Sequence, residues 1–198
     1  MTGVVAEDLL ALLRSRRVCR AFSGEPLADV HLLSLLEAAR WATNAGNTRI
    51  QRFLVVRDPE RIRLAKALAP GMLATPPAFV AICTDLEVAA RAGVRADRDP
   101  SGYIDVGTAA MAMMVEAHAL GLGTCPVTSF SQAGVASVLG FPATARPELL
   151  LLAGHPAGDA DATVATRPVS GRRWSPRLRE LVFWERYGEP LPNRLLES

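Results

Sequence analysis

The sequence predicts a mixed α+β domain over residues 1–198, with helices outnumbering strands. Three observations carry this. Apolar residues recur at helical spacing in several segments, short apolar runs bounded by turn residues fall between them, and the long stretch Tyr103 to Leu120 is nearly free of charge. A chain of 198 residues can bury one sizeable core, and no internal repeat or linker divides it.

The first helix runs from Val5 to Arg16, with Val5, Leu9, Leu12 and Leu13 on one face. Ser23-Gly24-Glu25-Pro26 makes a turn. A second helix follows from about Asp29, a start signal, to Trp41, with Leu32, Leu33, Leu35, Leu36 and Ala39 as its apolar face. Phe53 to Val56 is a short buried strand, and Asp58-Pro59 opens a third helix to about Ala69. Ala78 to Cys83 lacks polar alternation and reads as a strand buried on both faces. Arg91 to Gly102 is polar and reads as a surface loop, or a connection beside a site. Tyr103 to Leu120 is the longest helix, apolar all round as in a core or a subunit interface, and Gly121 and Gly123 end it. Thr124 to Phe130 is a third strand or strand-turn, Ser131 to Leu139 a short helix, and Leu149 to Ala153 a fourth strand. A loop from His155 to Pro168 and a last helix from about Arg177 to Arg186 complete the chain.

Composition narrows the function classes. At 49% hydrophobic and 21% charged, the chain reads as an ordinary soluble globular protein. A net charge of +2 gives no reason to expect a nucleic acid or an anionic membrane. No apolar run approaches the roughly 20 residues that span a bilayer. No signal peptide is evident, and Cys19, Cys83 and Cys125 are odd in number and widely spaced, as in reduced thiols. These point to the cytoplasm. No Gly-x-Gly-x-x-Gly, phosphate-binding Gly-Lys loop, zinc-binding His pair or nucleophile elbow is present.

Two clusters carry candidate chemistry. Arg16, Arg17 and Arg20 follow the first helix, and Arg172-Arg173 lies far along the chain. Guanidinium groups neutralise phosphate with forked, charge-assisted hydrogen bonds, although basic residues in a helix's last turn also suit its dipole. Asn44-Ala45-Gly46-Asn47-Thr48-Arg49 offers amides and close backbone approach to a flat ring, or simply shapes a turn. His31, His118 and His155 have no acidic or serine partner at a telling spacing. No nucleophile or general acid announces itself, as expected where a cofactor carries the chemistry.

Arg16-Arg17-Val18-Cys19-Arg20-Ala21-Phe22 resembles the opening box of the nitroreductase family, typically Arg-Arg-Ser-x-Arg-x-Phe. Ala38 to Arg49 resembles its Ala-Ala-x-x-Ala-Pro-Ser-x-x-Asn-x-Gln box, and Asp105 to Gly123 its central helix with the Gly-Leu-Gly end. Leu139 to Pro142, Gly154-His155-Pro156 and Trp184 to Gly188 resemble later landmarks in the right order. Departures are Val18 for a serine, Thr43-Asn44 for Pro-Ser, and Arg49-Ile50-Gln51 for Gln-Pro-Trp.

The resemblance implies a small central mixed or antiparallel sheet flanked by helices, a long buried central helix and an intertwined homodimer. It implies FMN at the subunit interface, NADH or NADPH as electron donor, and a ping-pong transfer to a nitroaromatic or quinone-like small molecule. Arg16, Arg17, Val18 and Arg20 of one chain would hold the phosphate and pyrimidine edge. Asn44, Ala45, Asn47 and Arg49 would come from the other. Pro126, Val127, Thr128 and Ser129 would lie near the isoalloxazine, and Arg172 or Arg173 would close over the phosphate. No side chain is expected to be catalytic, and no metal is expected. Two alternatives share the fold: a flavin-dependent dehydrogenase acting on a biosynthetic intermediate, and a non-catalytic dimer that binds flavin or another anion.

Overall fold

Strands β1 (Gln51–Val56), β2 (Ala78–Asp85), β3 (Gly123–Val127) and β4 (Ala145–Gly154) form one sheet in the order β1-β2-β4-β3. Every ladder is antiparallel. This computed structural model describes residues 6–96, 98–158, 181–183, 189–190 and 192. The chain divides into two units, Met1–Thr166 and Arg167–Ser198. In the second, Phe183 and Pro190 form an antiparallel bridge. Arg172, Arg173 and the Trp184 to Gly188 landmark lie outside the described residues.

Helices cover both faces of the sheet, which is why β2 reads as a continuous apolar run. Successive strand residues point to opposite faces. Ala78, Val80 and Ile82 join Leu149, Leu151 and Ala153 beneath α2 (Asp29–Trp41) and α5 (Ser101–Ala119). Phe79 and Ala81 join Leu150 and Leu152 against Ile62 and Ala65 of α3 (Pro59–Ala67) and Val135 and Leu139 of α6 (Gln132–Leu139). Each fully buried Leu, Ile, Val or Phe contributes about 1.5–3 kcal/mol of transfer free energy.

Local chemistry sets the element ends. The Asp58 carboxylate accepts from the Arg61 amide, with Pro59 in the first turn of α3, and Ser131 Oγ accepts from the Gly134 amide to start α6. Gly140 stops α6 at φ 73°. Asp29 is not the cap expected of it. Ala28 holds that position, and Asp29 sits in the first turn, paired with Arg57. Between β2 and the polar connection that begins at Arg91, Asp85 accepts from the Glu87 and Val88 amides and starts a short helix not foreseen from the sequence, α4 (Leu86–Arg91).

β4 begins earlier than its apolar run because the ladder slips between Ile82 and Cys83, leaving Glu148 without a β2 partner. The buried Glu148 carboxylate accepts from Arg146 Nε at 2.6 Å, Thr84 Oγ1 at 3.1 Å and Gln132 Nε2 at 3.1 Å. On α5, Asp105, Val106, Ala109, Ala110, Met113, Met114 and Ala117 face inward, while Tyr103, Ile104 and Met111 are 58%, 60% and 40% exposed. The helix is therefore buried on one side and apolar on the other.

Candidate functional site

The basic segment after α1 (Ala6–Ser15) lies along the β3 edge of the sheet. Val18 bridges Thr124 in parallel, and the Cys19 amide donates to Thr124 O at 2.8 Å. Further on, Phe22 bridges Pro156 and the Ser23 amide donates to His155 O at 3.0 Å. Two glycines make room for this seam. A Cβ on Gly123 would sit 2.5 Å from Cys19 Sγ, and one on Gly154 would sit 2.6 Å from Pro77 Cδ and 3.0 Å from Phe22 Cδ1. Gly123 and Gly154 thus serve the placement of Arg16 to Phe22, while Gly121, at φ 74°, serves the turn after α5.

Arg16 is held by its backbone, whose amide donates to Leu12 O at 3.0 Å. Its Nε and Nη1 are buried and have no hydrogen-bond partner. A buried guanidinium without acceptors is costly, and an anion is the group that would satisfy it. Arg17 is exposed and turned back on its own backbone, donating to Arg14 O and to Arg16 O at 2.9 Å. Arg20 is half-buried, close enough to Cys125 to lower that thiol's pKa; burial is the larger influence and pushes it up. Val18 offers its backbone alone.

The second predicted cluster is a short 3-10 turn, Ala45–Asn47, secured to α5. The Ala45 amide donates to Asp105 Oδ1 at 2.9 Å, and Thr108 Oγ1 donates to Thr43 O at 2.8 Å. Gly46, Asn47 and Arg49 all adopt left-handed backbone, with φ of 59°, 53° and 50°. Such φ values in Asn and Arg persist where neighbours hold them. Asn44 Oδ1 accepts from the Arg49 amide at 3.1 Å, and Asn47 Oδ1 accepts from Arg49 Nε at 3.3 Å.

Pro126 and Val127 end β3, and Thr128 and Ser129 follow as exposed residues. The Gly71 amide donates to Ser129 O at 3.1 Å, and a Cβ there would meet Val127 Cγ1 at 2.9 Å. This segment continues from the strand that carries the Val18 bridge, with Val127 paired to Leu150, four residues along β4 from the Gly123–Gly154 pair beside the basic segment. The turn at Asn44–Arg49 does not join them. Ser15 Oγ meets His118 Nε2 at 2.8 Å near the C-terminal end of α5, whereas Ala45 is tied to Asp105 near its start. The helix between them is about 20 Å long, so in a single chain the two clusters stand at opposite ends of α5.

Asp105 and Thr108 are positioning residues the sequence reading did not single out. Asp105 is 1% exposed, and its Oδ2 is buried without a partner. A lone carboxylate in the apolar first half of a helix was the available signal. Two clefts of about 260 and 300 Å³, along β1 and beside α6, contain none of the predicted residues. Among the described residues no group of three or more His, Cys, Asp or Glu is placed to hold a metal, and no helix is long and apolar enough to cross a membrane.

The model of the Nitroreductase family matches residues 13–85 and 64–155. A Thermus thermophilus protein named NADH dehydrogenase is 29% identical over 171 residues, covering 72% of this chain and 83% of that protein. A Bacillus subtilis protein named FMN reductase (NAD(P)H) is 26% identical over 166 residues, covering 76% and 66%. The chain spans between 47% and 86% of the length of four such relatives. The crystal structure of a nitroreductase family protein from Clostridium difficile superposes with a TM-score of 0.71 at 22% identity, covering 88% of this chain and 96% of that one. At that identity the likeness shows the fold alone.

Proposed function

Because this chain belongs to the nitroreductase family, we propose that it is an FMN-dependent oxidoreductase passing electrons from NADH or NADPH to an electron-poor small molecule, nitroaromatic or quinone-like, in a ping-pong cycle. The observation that carries the reading is Arg16, whose Nε and Nη1 are buried with no acceptor and fit a phosphate. The names of the Thermus and Bacillus relatives support the same chemistry. FMN, when bound, supplies the acceptance and release of electrons, and the chain supplies position and electrostatics.

In this reading Arg16, Arg17 and Arg20 hold the phosphate and the pyrimidine edge, with Val18 contributing backbone. Pro126, Val127, Thr128 and Ser129 lie beside the ring system. Asn44, Ala45 and Asn47 reach the same cofactor from a second copy of the chain, with Arg49 at the mouth of that cleft. The separation of the two clusters along α5 supports a homodimer, since a second α5 running the opposite way brings one chain's turn to the other's arginines. The exposed Ile104 and Met111, with the uncovered Gly107 between them, give α5 a face suited to that contact. Residues 1–198 act as one nitroreductase-like domain, and three cysteines outside any disulfide suit the cytoplasm.

Steady-state kinetics with NADH or NADPH against a nitroaromatic and a quinone test this. Parallel double-reciprocal lines are expected. Intersecting lines overturn the ping-pong order. Flavin that is retained but inert to both nicotinamides replaces the reading with a dehydrogenase using another reductant.

A further inference from the structure

We propose that Arg49 selects anionic molecules for the flavin cleft, receiving in its guanidinium fork a carboxylate of the electron acceptor or a phosphate of the nicotinamide donor. This rests on the reading above, which brings the Asn44–Arg49 turn to the cleft.

The turn is fixed from several sides. Asp105 Oδ1 accepts from the Ala45 amide at 2.9 Å, Thr108 Oγ1 donates to Thr43 O at 2.8 Å, and Thr48 Oγ1 donates to Ala45 O at 2.9 Å. Arg49 itself is gripped at two points by side-chain amides: its backbone N–H by Asn44 Oδ1 and its Nε by Asn47 Oδ1. It is held there in left-handed backbone, φ 50°, a conformation an arginine rarely adopts unaided.

This grip uses Nε and leaves both Nη groups without a partner among the described residues. Two Nη groups in one plane match the two oxygens of a carboxylate or phosphate. Arg52, next along the strand, is already engaged. Its Nη1 donates to Arg49 O and Gln51 O, both at 2.8 Å, and its Nη2 lies 3.1 Å from Asp85 Oδ2. One guanidinium is spent on the fold and its neighbour is oriented but uncommitted. A solvated surface arginine needs neither the strained backbone nor the two amide contacts.

The test is titration calorimetry on the full-length, FMN-loaded protein at fixed ionic strength, with probes that need no turnover. One pair is 4-nitrobenzoate against 4-nitrobenzyl alcohol, and the other is NADP⁺ against NAD⁺. A preference of about tenfold or more for the anion in one pair is expected, as for a charge-assisted hydrogen bond gained. The pair that shows it identifies the source of the anion. Arg49→Gln should abolish the preference, and Arg49→Lys should keep part of it, because charge remains while the fork is lost. Equal binding within both pairs, or a preference that survives Arg49→Gln, overturns the proposal. Loss of flavin from Arg49→Gln, read in the visible spectrum, also overturns it by assigning Arg49 to the cofactor. Anion preference without any nicotinamide oxidation leaves Arg49's role standing and ends the oxidoreductase reading instead.

Discussion

Replacing Arg16 with Met separates what this residue does for the fold from what it does for a ligand. Arg16 Nε and Nη1 are buried without acceptors, so the ligand-free chain carries polar atoms removed from water and not repaid by hydrogen bonds. An unsatisfied buried donor costs about 1–3 kcal/mol. Met has a similar reach, no donor and a flexible thioether that fills the same space. Arg16→Met should therefore leave the flavin-free protein as stable as the parent or more stable by about 1–3 kcal/mol. The same change removes charge-assisted bonds to a phosphate, worth about 1.5–3 kcal/mol each, so FMN should bind at least about tenfold more weakly. Urea unfolding of the flavin-free protein gives the first quantity and quenching of FMN fluorescence gives the second. A variant that is clearly less stable and binds FMN as tightly as the parent would refute the reasoning on both counts. It would mean that Arg16 packs the fold and touches no anion.

Gly123→Ala places a methyl group 2.5 Å from Cys19 Sγ and should cost about 1–3 kcal/mol while displacing the basic segment; unchanged stability and flavin affinity would show that the seam has slack. Asp105→Ala removes the acceptor of the Ala45 amide and should lower stability by about 1–3 kcal/mol, with Asp105→Asn retaining part of the contact; equal losses in thermal melts would assign the effect to charge. Burial pushes the Cys83 thiol from its ordinary 9.0 up to about 11 and raises that of Cys125. The folded chain keeps a proton at Cys83 that the unfolded chain loses, so this contribution is complete below pH 9 and lost as pH rises towards 11. Cys83→Ala should flatten the fall in urea midpoint over that window, and an identical fall in the variant would exclude the thiol as its source.

Two parts of the fold were legible because they are apolar along their length, although the environments behind that pattern differ. Ala78 to Cys83 is apolar throughout because helices cover both faces of β2, and Tyr103 to Leu120 is apolar because one side meets the sheet while the other presents Ile104 and Met111. Short or irregular features escaped. α4 is too brief for periodicity to register, and its signal was the capping Asp85 alone. β4 starts at Ala145 because of a bulge around Glu148, which no alternation pattern reports. At the site, Arg16, Arg17 and Arg20 stood out by charge, yet only the fold distinguishes them: Arg16 half-buried with Nε and Nη1 enclosed and unsatisfied, Arg17 turned onto its own backbone. Asn44 and Asn47 were legible as turn-formers. Their hold on Arg49 depends on three left-handed residues and on Asp105, which lies sixty positions away from Ala45.

The visible spectrum of the purified protein, recorded after incubation with FMN and gel filtration and again after anaerobic addition of NADPH or NADH, bears most directly on the whole account. Flavin absorbance should travel with the protein and bleach on addition of at least one nicotinamide. Protein that emerges colourless, having retained no FMN, would contradict the assignment of Arg16, Arg17 and Arg20 to a flavin phosphate and the oxidoreductase built upon it.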